Sequence, residues 1–594
     1  MRASRGNELG LLGLHDPDLW RQANVNLIEK ALAELCYEGL ITASQSENGS
    51  RFSVSVPTGG YCWQGRLNRW QHPVIHPGSV IHIADGSPAT DAMTVLHRVL
   101  EGRVKNPATL ANYLSETLNT LAADTQMLAA RRGLCARDWL ALPSHHLHSL
   151  LDGHPKAIPS KGRIGWSFID NQRYAPEHAP AFRLHWLAVH HSLAEPVYAP
   201  GWTASRLLEA SCNEAEHNRL SGLLPSSEYW TMPVHPWQWE AMITRQFAGP
   251  IAAGAMFPLG EAGDCYVPQP SLRTLSNIDR PARPDLKLSL SLLTTSAYRG
   301  LSARHLSHSP MQSIWLQQLL TSDPLLADCN ATALKEAATA FIPHPVYHTL
   351  PGTPYQFDEM LGAVWRESAH SHLGTGERIV MASVLQQKDD SGHSLAAELI
   401  HMSGTGATRW LTFLFDRAVV PLYHLQARYG LGFIAHGQNL MLRFRDELPV
   451  GILLKDYQGD LFRTDEDWTS HPGLPVQAWD ALPALPPHFL IHHLWTGLFA
   501  SVFRFMAPQL EIEGVFSEYA FYRLLAKRLQ IYQDSHPTLA PRFTRLGLFS
   551  HKMPLLSLNR ARFSHGYGDM AQRPVHSPGP LLDNPLIFGA PSGK

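Results

Sequence analysis

The sequence lacks most of the features that announce a function at this length. No segment reaches the roughly 18 uncharged apolar residues that span a bilayer, and the N-terminus MRASRGNELGLLGLHDPDLW has no unbroken apolar h-region, so a soluble, unexported protein is expected. A charge of one sign is missing as well. Lys+Arg 49 against Asp+Glu 51 leaves a formal charge of -2, which excludes a basic field for nucleic acid or an anionic membrane. The six cysteines lie far apart with no C-x-x-C pair, which excludes a disulfide-stapled scaffold and points to reduced thiols in cytoplasm. No G-x-x-x-x-G-K-[ST] and no G-x-G-x-x-G occurs, so any phosphate must be held by side chains. Histidine is plentiful, at 33, yet there is no H-E-x-x-H. The pairs His145/His146, His190/His191 and His492/His493 have no carboxylate at ligand spacing, and adjacent side chains point apart, so they read as hydrogen-bonded or solvated rather than as metal ligands.

What is present is an ordinary globular balance over 594 residues, 44% hydrophobic and 17% charged, enough for several units packed around a cleft that takes small molecules. Asp16-Pro17 reads as an N-cap and first-turn proline for a helix whose apolar face is Leu27, Ile28, Ala31, Leu32 and Leu35, ending at Gly39. Residues 51–84 are short β-rich runs broken by Pro57-Thr58-Gly59-Gly60 and His76-Pro77-Gly78, and helical spacing returns from about 88. The chain divides into an α+β unit over 1–150, a β-rich segment over 151–375 and a mostly helical segment over 376–594, with TRWLTFLFDRAVVPLYHLQARYG as its longest helical pattern.

Three segments offer chemistry. QPSLRTLSNIDRPARPDLKLSLSLLTTSAYRGLS places Ser271, Arg273, Thr274, Lys287 and Arg299 around a strand-turn-strand, and alternation in LKLSLSLL sets Lys287, Ser289 and Ser291 on one face. Hydroxyls, guanidinium and ammonium on one surface would cradle a polyphosphate, and a solvated amphipathic hairpin satisfies the same pattern. In FIAHGQNLMLRFRDELPVGILLKDYQGD two strands meet near Glu447 and Leu448, a register that opposes Asn439 to Asp456, close enough to share one hard cation such as Mg²⁺. Protein kinases place an Asn and an Asp comparably, while a turn Asn and a strand-end Asp would account for the residues without a metal. GHPKAIPSKGRIGWS presents His154, Lys156, Lys161 and Arg163 on a Pro/Gly-punctuated loop, either an anion-binding loop or a solvated one.

Taken in order, GHPKAIPSKGRIGWS, MPVHPWQWE, SLRTLSN with DLKLSLSLLTTSAYRG, and AHGQNLML with LLKDYQGD resemble the NRPS-independent siderophore synthetases, the IucA/IucC-like family, over nearly the whole chain. The resemblance implies an α+β, hand-like fold: thumb over 1–150, β-rich fingers over 151–375, and a helical palm over 376–594 with a distantly kinase-like hairpin at the nucleotide site. It implies ATP contacts at Ser271, Arg273, Thr274, Lys287 and Arg299, hairpin contacts at His436, Gln438, Asn439 and Asp456, Mg²⁺ on Asn439 and Asp456, and a phosphate end closed by His154 and Lys161. The implied reaction is attack of a carboxylate on the α-phosphate of ATP, giving an acyl adenylate that an amine or hydroxylamine captures as an amide. Lys287, Arg299 and His436 would be catalytic, and many members form homodimers. Within the family the blocks resemble the aerobactin synthase, desferrioxamine and alcaligin branch, and LNRARFSHGYGDMAQRPV leans toward substrates such as N-hydroxy-N-succinyl diamines. Addition of N6-acetyl-N6-hydroxylysine to a citrate monoamide is the alternative. A kinase-like phosphotransferase and a non-catalytic ligand-binding protein are the competing classes.

Overall fold

Asp16 starts the first helix as the sequence predicts: its Oδ1 accepts the N–H groups of Asp18 and Leu19 at 3.0 and 3.2 Å, Pro17 fills the first turn, and the helix runs Pro17–Tyr37. This computed structural model describes residues 14–295, 297–468, 473–568 and 577–587. Leu27, Ile28, Ala31, Leu32 and Leu35 are all buried, in one cluster with Phe52, Val54, Trp63 and Tyr113. The helix Pro107–Arg131 and a five-stranded sheet built from 44–82 complete this N-terminal unit. Part of the expected C-terminal signature, residues 569–575, lies outside the described residues.

The centre of the molecule is an eight-stranded antiparallel sheet. Four of its strands carry the site: β1 (Thr274–Asn277), β2 (Asp285–Leu288), β3 (Glu336–Phe341) and β4 (Gly362–Arg366). Register sets Thr274 opposite Lys287 and Lys287 opposite Val364, while Arg366 stands opposite both Asp285 and Glu336. One face of these strands, with Leu275, Leu286, Leu288, Ala363 and Trp365, is hydrophobic core. The other face therefore carries Thr274, Asp285, Lys287 and Arg366, by the two-residue period of the pleat. A bulge at Ala337 places both Ala337 and Ala338 in the core and frees Glu336 for the polar side.

The single strand expected from LKLSLSLL is instead two. β2 ends at Leu288, and Leu290–Thr294 leaves the sheet to form a separate hairpin with Ala297–Arg299. Ser291 accordingly turns away from Lys287 toward Gln238, which accepts its N–H at 2.8 Å and donates to its Oγ at 2.9 Å.

A second sheet has four strands: β5 (Glu377–Met381), β6 (Leu440–Arg445), β7 (Leu448–Leu454) and Ala331–Ala333, the last parallel to β7. The expected middle segment thus gives one strand to the sheet of the C-terminal segment. The long helical pattern forms Ala407–Leu414 and Val420–Tyr429 joined through a π-helical step, Phe415–Val419, which leads into the second helix two positions before Pro421. Such a step absorbs a residue whose ring and missing N–H would break a continuous α-helix.

The N-terminal unit docks on the C-terminal helices through a buried charge. Arg504, fully buried, reaches Glu34 at 2.9 Å and lies 3.9 Å over the Tyr37 ring, and His72 meets the same carboxylate at 2.9 Å. Burial opposes ionisation of Glu34, and Arg504 and His72 together still hold its pKa down at about 2. Arg504→Ala strands that carboxylate, so it should cost about 3–5 kcal/mol. Denaturant unfolding checks this, and a loss below about 1 kcal/mol would contradict it.

Candidate functional site

The polar face of the central sheet closes on the loop after β7, and the contact is ionic. Lys287 Nζ donates to Asp456 Oδ1 at 2.6 Å and to Gln458 Oε1 at 2.9 Å, and Arg366 Nη1 donates to the same Asp456 oxygen at 2.8 Å. Lys455 Nζ donates to Gln269 Oε1 at 2.7 Å, and Gln269 Nε2 donates to Asp285 Oδ2 at 2.8 Å. Glu336 accepts from Ser309 and Gln458. Every charged member is buried, Arg366 at 1% and Glu336 at 0% exposure, which is uncommon for such residues unless paired. Lys287 and Asp456 were expected from sequence. Arg366, Glu336, Lys455, Gln458 and Asp285 were not, although Lys455 and Gln458 lie in the LLKDYQGD block and Asp285 shares β2's face with Lys287; Arg366 and Glu336 carried no signal.

The hairpin differs from its expected register. The turn is Asp446-Glu447, both at positive φ (51° and 59°), and Val450 is bulged between the pairs Arg443↔Gly451 and Phe444↔Pro449. The turn is centred a residue earlier than expected, and the bulge restores only half of that shift. Asn439 therefore faces Lys455, whose N–H donates to its carbonyl at 3.2 Å, and Asp456 lies one residue beyond, at φ 72°. The directly opposed Asn439–Asp456 pair is therefore corrected, since Lys455 takes the position across from Asn439 and Asp456 follows beyond the strand end. The Asn439 amide donates to Asp460 Oδ2 at 3.0 Å and to the Ile434 carbonyl at 3.3 Å. His436 Nδ1 accepts from the N–H groups of Gln438 and Asn439 at 3.2 and 3.3 Å, which leaves the ring proton on Nε2. Gly437 is required here, because a Cβ would stand 3.0 Å from the Ser383 backbone.

Three of the sequence blocks meet on the hairpin that carries Arg299. Ile164 bridges Leu293, Gln238 clamps Ser291, and Arg273 donates to the carbonyls of Arg299, at 2.8 Å, and Gly300. The Arg299 guanidinium donates to the Thr294 carbonyl at 3.1 Å and Thr295 Oγ1 at 3.0 Å. The hydroxyls of Ser271, Thr274 and Ser289 are buried with no hydrogen-bond partner, a costly arrangement that a bound polar group would relieve. Lys161 turns toward the N-terminal helix Pro107–Arg131, where Asp124 takes its ammonium, and His154 Nδ1 accepts the Lys156 N–H at 3.2 Å. Among the described residues no three or more His, Cys, Asp or Glu converge as metal ligands. Nor is any helix among them long and apolar enough to cross a membrane.

Burial opposes ionisation of Asp456, yet Lys287, Arg366 and Lys455 hold its carboxyl well below the usual range. Desolvation lowers Lys455 to about 8 and, with Asp460 and Asp456 opposing, holds His436 below the ordinary imidazole value. Glu336 moves the other way, raised by burial from 4.5 to about 7 against Ser309 and Lys287. A carboxyl raised by folding binds a proton in the folded state between those two values, so stability falls as pH rises from about 4.5 through about 7. Glu336→Gln should flatten that slope in melting temperature against pH, and an unchanged slope would show that Glu336 does not titrate there.

Residues 146–387 match the IucA / IucC family, and residues 408–571 match the family described as ferric iron reductase FhuF-like transporter. The chain is 36% identical to aerobactin synthase of Escherichia coli, covering 96% of this chain and 98% of that one. It is 30% identical to putrebactin synthase of a Shewanella species, covering 94% and 90%. The structure of aerobactin synthetase IucC from a hypervirulent Klebsiella pneumoniae superposes with a TM-score of 0.85 at 34% identity, covering 96% of this chain and 98% of that chain. With the mixed helix-and-sheet fold of those synthetases and likeness to them from end to end, this chain belongs to the IucA/IucC family of siderophore synthetases.

Proposed function

We propose that this protein is an ATP-dependent ligase that activates a carboxylate as its acyl adenylate and joins it to an amine, forming the amide of a siderophore. The observation that carries the reading is the cation-rich polar face of the central sheet, where Lys287 and Arg366 stand beside the partnerless hydroxyls of Ser271, Thr274 and Ser289. A buried surface with spare donors and several cations suits phosphate oxygens, because charge-assisted bonds strengthen where water is excluded. On this reading the N-terminal unit, the central sheet and the C-terminal helices act as thumb, fingers and palm, and two copies associate in the cytoplasm.

Ser271, Arg273 and Thr274 would hold phosphate oxygens, with His154 and Lys161 at the far end. Lys287 and Arg299 would offset the charge that develops as the carboxylate oxygen bonds the α-phosphorus and pyrophosphate leaves. His436, with Nε2–H free to donate, would orient the carboxylate and Gln438 would line its approach. The amine nitrogen then bonds the acyl carbon, loses a proton, and AMP departs. Asn439, Asp456 and Asp460 offer the hard oxygens that suit Mg²⁺, an ion that takes few protein ligands, keeps the rest for water and phosphate, and when bound neutralises phosphate charge.

On this reading the acyl substrate is a hydroxamate-bearing carboxylate such as an N-hydroxy-N-succinyl diamine, the class toward which the C-terminal block leans. Likeness to aerobactin synthase favours a second one, addition of N6-acetyl-N6-hydroxylysine to a citrate monoamide. Lys287→Ala and Arg299→Ala should each lower pyrophosphate release by about 100-fold or more, the loss of one transition-state contact, with circular dichroism unchanged. Release of ADP in place of AMP and pyrophosphate would show a phosphotransferase instead. Among acids, N-hydroxy-N-succinylcadaverine should drive release better than free citrate, and the reverse order would discard the hydroxamate assignment.

A further inference from the structure

Beside the ionic cluster, on the same sheet face, lies a cavity of about 170 Å³ that the roles above leave unused. Its floor includes Asp285, two positions from Lys287 on β2, and Ser276 on β1. Met381 on β5 and Met441 on β6 make an apolar wall with Val267, and His148 closes another side. Gln269 separates the cavity from the cluster, since its amide nitrogen is spent on Ser276 and Asp285 while its oxygen accepts from Lys455.

Two buried polar atoms of this lining have no partner. Asp285 Oδ2 accepts from Gln269 at 2.8 Å and faces Arg366 at 3.5 Å, whereas Asp285 Oδ1 has no hydrogen bond, although the residue is 4% exposed. His148 Nε2 is likewise partnerless at 7% exposure, on a ring that burial holds uncharged with a pKa of about 3. A buried carboxylate oxygen without a donor is expensive, and the group that relieves it must donate. Among the described residues that line the cavity, Asp285 is the one carboxylate, and neither Lys nor Arg contributes. An anionic ligand would meet Asp285 with no compensating cation in the wall, whereas an ammonium or amine would pair with it. The methionines and Val267 suit methylene groups, because thioether side chains adapt to an alkyl chain.

We propose that this cavity seats the amine partner of the condensation, a primary amine on an unbranched aliphatic chain, with its nitrogen at Asp285 and its methylenes along Met381 and Met441. The proposal rests on the ligase reading above, and it places the nucleophile about 7 Å along β2 from Lys287, two residues at the strand rise. Calorimetric titration of the full chain with n-pentylamine, n-pentanol and pentanoate tests it without ATP. Pentylamine should bind at least tenfold more tightly than either analogue, and Asp285→Asn should erase the preference. His370→Trp, an exposed position on the lining, should weaken pentylamine by a similar factor and leaves the buried network intact should Asp285→Asn unfold. Pentanoate binding as well as pentylamine, or wild-type affinity in both variants, overturns the proposal. Pyrophosphate release without pentylamine binding sinks the pocket alone. Pentylamine bound at Asp285 by a chain that releases no pyrophosphate with any acid sinks the ligase reading instead.

Discussion

Asp456 is the point on which the two sheets depend. Its carboxylate takes Lys287 from β2 and Arg366 from β4 of the central sheet, and it stands at the end of a hairpin in the other sheet. Removing one carboxylate and two cations from water is costly, and only near-ideal geometry with full hydrogen bonding recovers that cost. The surrounding structure supplies the geometry through local irregularities. The bulged Val450, the left-handed Asp456 and the bulge that releases Glu336 each cost backbone regularity, and each brings a charged side chain to the same place.

The cluster can be buried only because the sheet beneath it is held on its other side. Leu286 and Leu288 alternate with Asp285 and Lys287, and Trp365 with Arg366, so the strands that present charge upward are fixed by hydrocarbon below. Packing thus sets where the charges stand, and the charges set which loop can cover them. The hairpin of Arg299 obeys a different constraint. It has left the sheet and is positioned by polar clamps, Gln238 on Ser291 and Arg273 on the Arg299 carbonyl, so Gln238 and Arg273 act on the site through this hairpin.

Much of this was legible. The first helix, with Asp16 as its cap and five core positions at helical spacing, needed nothing but local rules. Lys287 and Asp456 came from motif resemblance, and the structure joins them directly. Arg366 and Glu336 were not legible, because a charged residue at a strand end looks solvated until the fold shows what it faces: the register sets the two opposite each other, and Asp456, 90 positions along the chain from Arg366, closes over that arginine. The Asn439–Asp456 pairing failed for a related reason: counting outward from a presumed turn cannot detect a bulge, and one extra residue shifts the pairing beyond it. The single strand drawn through LKLSLSLL failed because alternation continues across Ser289 although the hydrogen-bond partner changes there.

Charge balance gives the cluster a property that no single pair has. Lys287, Arg366 and Lys455 face Asp456 and Asp285, while Glu336, at about 7, sits at the edge of ionisation near neutrality. An arriving anion raises the proton affinity of every neighbouring carboxyl, and the one already nearest neutrality responds first. Burial thus makes Glu336 the carboxyl of this cluster that takes up a proton most readily near neutral pH, while Asp456 stays ionised between its cations. Asp456 cannot play that part, since three cations hold its proton affinity too low. Two carboxylates at the same arginine thus differ in charge: Asp456, hydrogen-bonded to Arg366, is held ionised and joins the sheets, and Glu336, opposite Arg366 in the central sheet, is pushed by burial toward its protonated form.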